Sequence, residues 1–399
     1  MKIFFRRIHL YLSLGAGLVI LIACLTGAIL VFEKDLQMSL NKERYFVEAG
    51  EKKLSADSMA KLVKDSFPGA KVNGIKLYED AERSAEINIA ISSQQNKKKS
   101  DVPVIEKKSA PQRQPSYTIF INPYTGQILD KYSYRETWFY SVFALHRWLM
   151  GGEGSIGKYI VGISTLIFLF ILISGIVLWW PKTRKILQQR LRIKWNSGWK
   201  RINHDLHLVF GFYSALFLFI IAFTGLAWSF EWFNKGIYKV TGSTMKPIAA
   251  PKSVYSSDAD RITMEQALLM GKSIKGNGVW YNLQLPKDSS EAYTVSVLGK
   301  DALHENATDA IYIDQYTGKV AGSTDFAQRS LGARVRSTFK PVHTGSIWGT
   351  PTKVIAFIVC LFGVSFPITG VIMWINRVRK KRKYPKSKIA DVGVEAYVD

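Results

Sequence analysis

The chain has 399 residues, 47% of them hydrophobic, and a formal net charge of +23. This length allows two or three soluble domains, but long apolar stretches alternate with strongly charged ones, which is typical of a membrane protein. Most of the positive charge lies in three short segments beside apolar stretches, where it predicts contact with membrane lipid and excludes nucleic acid as the partner.

Four stretches without a charged residue predict transmembrane helices. Each has about 20 residues or more, which is enough to cross a bilayer at roughly 1.5 Å per residue. Tryptophans lie near their ends, as is common at membrane interfaces. In chain order the stretches are Leu10–Phe32, Tyr159–Trp180, Leu208–Phe230 and Val354–Ile375.

The basic segments predict the orientation of these helices. Lys2, Arg6 and Arg7 precede the first span, a loop with eight Lys or Arg and no acid joins the second and third, and eight Lys or Arg follow the fourth. The positive-inside rule makes all three segments cytoplasmic. We therefore predict a multi-pass protein of the bacterial inner membrane with both termini in the cytoplasm and two large periplasmic loops.

The predicted orientation divides the chain into eight segments, and the fold class is a membrane protein with four transmembrane α-helices and two α+β periplasmic domains. The segments are a cytoplasmic stub with the first span (1–32), a first periplasmic domain (33–145), a histidine segment with the second span (146–180), a basic cytoplasmic loop (181–203), the third span (204–230), a second periplasmic domain (231–342), a histidine segment with the fourth span (343–375) and a basic cytoplasmic tail (376–399).

Both periplasmic segments contain helical and strand patterns. Ser55–Phe67 and Ile262–Ile274 are predicted helices, the first with Ser55 as its N-cap. The alternating runs Glu86–Ile91 and Ala292–Leu298 predict strands.

Turn and loop signals complete the two segments. A Tyr-Thr-Gly sequence in each predicts a tight turn in which Gly126 or Gly318 takes a positive φ. The stretch from Ser92 to Ser116 is rich in Lys, Gln, Ser and Pro and predicts a flexible insertion.

The chain matches itself at an offset of 198 residues, which places His9 on His207 and Thr26-Gly27 on Thr224-Gly225. The second and fourth spans likewise contain Ser174-Gly175 and Thr369-Gly370. Both copies begin on the same side of the membrane and cross it twice. We therefore predict two parallel repeats related by a pseudo-two-fold axis along the membrane normal.

Five of the six histidines lie at predicted membrane edges. His304 is the exception, in a polar loop segment that predicts a solvent-exposed side chain. The five others are His9, His204 and His207 on the cytoplasmic side and His146 and His343 on the periplasmic side.

The pseudo-two-fold axis places His9 opposite His207 and His146 opposite His343. Two neutral imidazoles bind a haem iron axially from opposite sides, so we predict these four as the axial ligands of two b-type haems. His204 lies three residues before His207 and is a second candidate for ligand or for a propionate contact. Since the 18 positions from His9 to Gly27 span roughly 27 Å of helix, the two haems would form a path for electrons across the membrane.

Other chemistries fit these residues less well. A zinc site normally has four ligands from His, Cys and carboxylates, and a proton relay normally places an ionisable group at membrane depth. Cys24 and Cys360 fall inside spans and are predicted to be buried thiols. A lipoprotein signal ending at Cys24 is disfavoured because the apolar run continues to Phe32.

Four motifs carry a resemblance to a known family: His9-Leu-Tyr-Leu, Asp205-Leu-His207-Leu-Val-Phe-Gly, Leu145-His146-Arg-Trp-Leu and His343-Thr-Gly. Over nearly its whole length the chain resembles the PepSY-associated transmembrane family, which includes iron-regulated inner-membrane proteins and ferric-siderophore reductases. The resemblance implies periplasmic PepSY domains, haem held by membrane-edge histidines, and reduction of siderophore-bound ferric iron with release of the ferrous ion.

Some relatives carry an added flavin or NADPH-binding domain, whereas this chain ends at Asp399, shortly after its last span. We therefore expect a separate electron donor, either a cytoplasmic flavoprotein or a membrane quinol. Two other functions stay open at this point. One is a non-catalytic regulator whose PepSY domains bind peptides or restrain a periplasmic protease, and the other is a reductase of a different periplasmic oxidant such as Cu(II).

Overall fold

A computed structural model describes residues 2–91, 115–245, 249–254 and 260–383. Nearly all of the predicted insertion and the last part of the predicted cytoplasmic tail lie outside these ranges. The helices are α1 (Lys2–Val31), α2 (Glu33–Leu40), α3 (Lys42–Tyr45), α4 (Ala56–Ser66), α5 (Trp138–Trp148), α6 (Ile156–Trp179), α7 (Arg184–Arg190), α8 (Trp199–Ser229), α9 (Glu231–Val240), α10 (Met264–Ile274), α11 (Leu331–His343) and α12 (Thr350–Lys383).

The strands of the described residues form one sheet. They are β1 (Ala70–Tyr78), β2 (Ala85–Ile91), β3 (Ser116–Ile121), β4 (Ile128–Tyr132), β5 (Gly278–Gln284), β6 (Tyr293–Gly299), β7 (Asp309–Ile313) and β8 (Val320–Thr324). Short 3₁₀ turns lie at Tyr134–Glu136, Phe326–Gln328 and Ser346–Trp348.

Helices α1, α6, α8 and α12 are long and apolar enough to cross a membrane, and the chain is a multi-pass membrane protein. They match the four predicted spans, although α1, α6 and α8 each end one residue earlier than predicted. Helices α1 and α8 each pack against α6 and α12, which gives a four-helix bundle. On α1 the buried residues Ala16, Ile20, Cys24 and Ala28 recur every fourth position, so they form one stripe that faces the other helices. Cys360 is buried on α12, as expected.

The sheet joins the two halves of the chain. Its strand order is β4-β3-β2-β1-β5-β6-β7-β8, which reads as the same four-strand unit from either edge. The sequence predicted two separate domains, but β1 pairs with β5 in an antiparallel ladder that places Ile75 opposite Leu283. Without this ladder each unit would expose the backbone of an edge strand, and the pairing satisfies both edges.

Helices α4 and α10 cover one face of the sheet. Met59 on α4 and Leu268 on α10 are almost fully buried against Ile75, Ile87 and Val295 of the strands. The structure confirms both predicted helices, both predicted strands and the N-cap at Ser55, whose side chain accepts a hydrogen bond from the Ser58 amide. The turn glycines Gly126 and Gly318 have φ angles of +75° and +69°, also as predicted.

The expectation that His304 is exposed is wrong, because only 7% of the residue is accessible. Its ring packs edge-on against Phe326, and its Nδ1 accepts a hydrogen bond from the Asn306 amide. The polar neighbour Glu305 bonds Lys34 and Ser346, so the loop between β6 and β7 is folded onto the helical bundle. Contacts of this kind join residues far apart in the chain, and local polarity does not reveal them.

Helices α4 and α10 cap one another. The Asp57 carboxylate of α4 accepts hydrogen bonds from the Met264 and Glu265 amides at the start of α10, at 3.0 and 2.9 Å. In return, Glu265 accepts one from the Ala56 amide at 2.7 Å. Each carboxylate thus satisfies free amides at the N-terminus of the partner helix, where negative charge is favoured.

We predict that Asp57→Ala costs about 1–2 kcal/mol, as the loss of a helix cap does. The expected result is faster hydrogen exchange of the first-turn amides of α10 in the full-length protein. Asp65→Ala, at an exposed position of the same helix, is the control. Equal exchange in the two variants would show that the reciprocal caps contribute nothing.

Candidate functional site

The bundle encloses two cavities, which we name from what lies beside them. The loop-side cavity, of about 800 Å³, lies near the loop between α6 and α8 and is lined by His9, His204 and His207. The sheet-side cavity, of about 620 Å³, is lined by His146 and His343. Both volumes fall within the range of about 300–1,000 Å³ typical of small-molecule sites. All five predicted histidines therefore line a cavity, in the two groups that the sequence predicted.

His146 and His343 reach their cavity from short helices that precede the spans. Helix α5 begins at the N-cap Thr137 and packs against α1, and α11 begins at the N-cap Ser330 and packs against α8. The His146 ring bonds Thr26, which lies five residues before the end of α1. At about 1.5 Å per residue the ring therefore lies roughly 7 Å below the helix end, which is deeper than the membrane edge predicted from sequence.

Four of the histidines share one hydrogen-bond pattern: Nδ1 contacts a hydroxyl on a helix of the same repeat. The Ser or Thr belongs in each case to one of the Ser/Thr-Gly pairs that recur in the spans. The distances are 3.0 Å for His9 to Ser174, 2.9 Å for His146 to Thr26, 2.7 Å for His207 to Thr369 and 3.3 Å for His343 to Thr224.

The hydroxyls fix which ring nitrogen carries the hydrogen. Each hydroxyl donates its only hydrogen to a carbonyl of its own helix, for example Thr26 to Ile22 at 2.6 Å and Thr369 to Ser365 at 2.8 Å. Ser174 and Thr224 do the same. Each hydroxyl must then accept a hydrogen bond from Nδ1–H, which leaves the Nε2 lone pair of the neutral ring free for a metal ion.

Backbone carbonyls lead to the same tautomer for two of the rings. His9 Nδ1 lies 3.1 Å from the Ile171 oxygen, and His343 Nδ1 lies 2.8 Å from the Ile221 oxygen. A carbonyl can only accept, so Nδ1 is again the protonated nitrogen. Metal-binding histidines commonly have their second nitrogen held in this way, since the bond orients the ring and makes the free nitrogen more basic.

The glycine after each hydroxyl residue lies beside the ring, and at Gly175 and Gly225 an added side chain would crowd it. A Cβ atom at these positions would lie close to the Cε1 atom of the histidine that is hydrogen-bonded to the preceding Ser or Thr. The distances are 3.4 Å at Gly27, 3.3 Å at Gly175, 3.1 Å at Gly225 and 3.7 Å at Gly370. From the sequence, the four Ser/Thr-Gly pairs were interpreted only as part of the repeat. Their number equals that of the predicted haem ligands, and this was a signal that each pair positions one histidine.

The two sheet-side histidines lie close enough together to share a metal ion. Their ring centroids are 6.2 Å apart. Imidazole nitrogens bind transition metals at about 2 Å, so two rings on opposite sides of one ion have centroids about 6 Å apart. Among the described residues no group of three or more His, Cys, Asp or Glu could hold a bare ion. A pair of histidines can complete the coordination of a metal whose other ligands come from a cofactor.

His204 differs from the four other histidines. Its Nδ1 lies 3.4 Å from Asp205, and about half of its side chain is exposed. Asp205 is buried and also bonds Arg201. His204 thus lies at the edge of the loop-side cavity, with one side towards solvent.

The two cavities adjoin inside the bundle. Ile20 of α1 and Phe168 of α6 line both of them, and both residues are more than nine-tenths buried. Ligands that filled the two cavities would therefore both contact Ile20 and Phe168.

Basic residues line the open end of each cavity, where they suit the carboxylates of a bound group. Those of the loop-side cavity are Arg6, Arg190, Arg201 and Arg377. Those of the sheet-side cavity are Lys34, Arg147, Lys340 and Lys353. The acids of the sheet-side cavity differ from each other. Burial raises the pKa of Glu33, whereas for Glu305 the ammonium groups of Lys34 and Lys340 and the Ser346 hydroxyl outweigh burial and lower the pKa.

Comparison with known families gives one match. A family model described as the PepSY-associated TM region matches residues 6–377, a range that contains all five cavity histidines and all four Ser/Thr-Gly pairs. No curated protein matches the chain.

Proposed function

Because the chain belongs to the PepSY-associated transmembrane family, we propose that it is a haem-containing reductase of the bacterial inner membrane. It carries electrons to a periplasmic ferric siderophore, whose iron then leaves as the ferrous ion. One observation carries this proposal: in both cavities, histidines with Nδ1 held by a hydroxyl leave Nε2 free.

His146 and His343 are the proposed axial ligands of a sheet-side b-type haem, and His9 and His207 those of a loop-side haem. The porphyrin supplies four further nitrogens, so two histidines complete the coordination of iron. The cavity volumes and the 6.2 Å between the sheet-side rings support this assignment. His204 has no Ser/Thr-Gly partner and suits a contact with a propionate at the cavity edge better than axial ligation.

Bound haem supplies an iron that gains and releases one electron at a time. The residues of the chain do the rest. The Ser and Thr hydroxyls hold the rings and keep Nε2 unprotonated, the apolar helices exclude water, and basic residues at the open ends pair with propionates. Ile20 and Phe168 lie between the two sites on the path that electrons would take.

The direction of transfer follows from the proposed topology. The loop between α6 and α8 carries an excess of Lys and Arg and is assigned to the cytoplasm. The sheet is then periplasmic, and electrons enter at the loop-side cavity and leave beneath the sheet. The proposed electron donor is a cytoplasmic flavoprotein or a membrane quinol.

We predict that Thr369→Val weakens haem binding in the loop-side cavity by about tenfold to a hundredfold, as the loss of a residue that orients a metal ligand does. Valine is similar in shape but cannot accept the hydrogen of His207 Nδ1, whose distance to the hydroxyl is 2.7 Å. Haem titration of the stripped protein measures the effect. Thr369→Ser keeps a hydroxyl at this position and should bind haem with the original affinity. If Thr369→Val binds haem equally well, the hydroxyl does not contribute to haem binding.

Proteoliposomes test the proposed activity. With dithionite trapped inside and a ferric chelate with a ferrous-specific dye outside, vesicles with haem-loaded protein should form ferrous iron outside, and vesicles with stripped protein should not. Equal rates in both would reject transmembrane electron transfer. Replacing the ferric chelate with a Cu(II) chelate and a cuprous-specific dye tests the copper alternative, and a protein that only regulates a protease would reduce neither metal.

A further inference from the structure

Lys76 of the central strand β1 lies near residues that line the sheet-side cavity. Ile75 of the central strand β1 faces α4 and α10, so the next residue, Lys76, faces the opposite way. Lys76 is close enough to Lys34 and Glu305 to interact with their charges, and both of these residues line the cavity. Lys76 thus lies, on the face of the sheet that is not covered by α4 and α10, near residues at the open end of this cavity, and we call this region the mouth of the cavity.

This mouth carries more positive charge than its acids balance. In the described part of the chain, Lys76 and Arg83 have no carboxylate within 4 Å of their charged nitrogens, and neither is among the cavity-lining cations proposed to pair with propionates. The acids nearby have other partners: Glu305 pairs with Lys34, Asp35 pairs with Lys353, and Glu86 accepts a hydrogen bond from Tyr78. Glu33 is bonded by Gln37 and Tyr134, which carry no charge, and the charges of Lys34 and Lys340 act on it from a greater distance.

Aromatic rings flank both of these cations. The Lys76 ammonium lies 4.7 Å from the ring centroids of both Tyr78 and Trp280, and the Arg83 guanidinium lies 4.1 Å from that of Tyr78. Burial lowers the pKa of Lys76, and the positive charges of Arg83 and Lys34 lower it further, although Glu86 opposes them. Cation–π contacts explain how the two side chains are held. These contacts do not remove the repulsion between the positive charges at the mouth. That repulsion costs free energy, and a bound anion would reduce the cost.

We propose that this mouth is a binding site for the electron acceptor, and that it selects metal chelates of negative charge with aromatic ligand groups. The proposal rests on the reductase function proposed above. The chelated Fe(III) gains one electron from the sheet-side site and becomes Fe(II), and no bond to the protein forms or breaks. Since the chelate becomes more negative by one charge, Lys76 and Arg83 stabilise the product as well as the substrate.

Gallium(III) chelates test this site without any electron transfer, because gallium is not reduced under these conditions. Isothermal titration of the full-length protein should show binding of the trianionic gallium tris-catecholate and at least about tenfold weaker binding of the cationic gallium complex of desferrioxamine B, as expected for a site of strong positive potential. Lys76→Gln and Arg83→Gln should each weaken the anionic complex several-fold. Lys76→Arg should retain affinity, as should Lys61→Gln on the exposed side of α4.

Equal affinity for the two gallium complexes, or a Lys76→Gln variant that binds like the Lys61→Gln control, would overturn the site. The measurement does not depend on haem. If the protein binds no haem but still binds the anionic complex through Lys76, the reductase function is rejected and the anion site is supported. If the protein binds haem but shows no preference between the two gallium complexes, the anion site is rejected and the reductase function can still hold.

The salt dependence of reoxidation kinetics provides a second test of the same site. With the protein reduced anaerobically, reoxidation by ferricyanide should slow as salt is added, because salt screens attraction between opposite charges. Reoxidation by hexaammineruthenium(III), a cation, should accelerate. Salt slopes of the same sign for both oxidants would overturn the proposal.

Discussion

Replacing His146 or His343 with alanine is expected to halve the haem content and to abolish reduction of an acceptor on the sheet side. Each imidazole would supply one of the two histidine ligands of the proposed iron, so neither alone would hold a low-spin haem. The remaining haem, bound between His9 and His207, should keep its spectrum and still accept electrons from the loop side. The effect is large because an electron would otherwise have to cross half of the membrane without a cofactor.

The reciprocal variants complete this test. His9→Ala or His207→Ala should remove the loop-side haem and leave the sheet-side haem, and the sheet-side haem should then no longer be reduced from the loop side. His304→Gln is the matched control, since His304 is buried but lines neither cavity. Haem per chain is measured by the pyridine haemochrome method. A full haem complement in all four alanine variants would show that the ligands are other residues.

The second large effect is expected from filling the space beside a ligand. A Cβ atom at Gly225 would lie 3.1 Å from His343 Cε1, the closest approach among the four glycines. The branched side chain in Gly225→Val pushes the ring away from its hydroxyl partner Thr224. Overpacking of this kind costs about 1–3 kcal/mol, so sheet-side haem affinity should fall by roughly tenfold to a hundredfold.

Gly15→Val provides the matched control for this substitution. Gly15 also lies in a membrane-spanning helix, is exposed, and would place a Cβ with nothing within 4 Å. The Gly15→Val substitution therefore introduces the same side chain, and the same change in helix propensity, at a position that lines neither cavity. If the two valine variants bind haem equally, the close approach of the glycines to the rings has no role in the site.

Much of this arrangement can be predicted from sequence because its signals are local or repeated. A span of about 20 apolar residues appears in hydropathy alone, and the offset between His9 and His207 pairs the histidines without structural information. The grouping into two cavities follows from that pairing and the alternating direction of the spans.

The contacts that position the histidines could not be predicted in the same way. His9 and Ser174 are 165 residues apart, and His146 and Thr26 are 120 apart, so no local pattern connects them. The joining of β1 to β5 and the burial of His304 are likewise contacts between distant segments. The position of the cationic mouth depends on the pairing of β1 with β5. If the two units were separate domains, the position of Lys76 relative to the sheet-side cavity would not be fixed.

We propose that the paired histidines hold haem, and the absorption spectrum of the purified protein is the decisive test of that proposal. Protein from haem-replete cells should show the sharp α band of reduced low-spin b-type haem, with two haems per chain by the pyridine haemochrome method. A protein that folds, inserts into the membrane and carries no haem under these conditions would contradict the account.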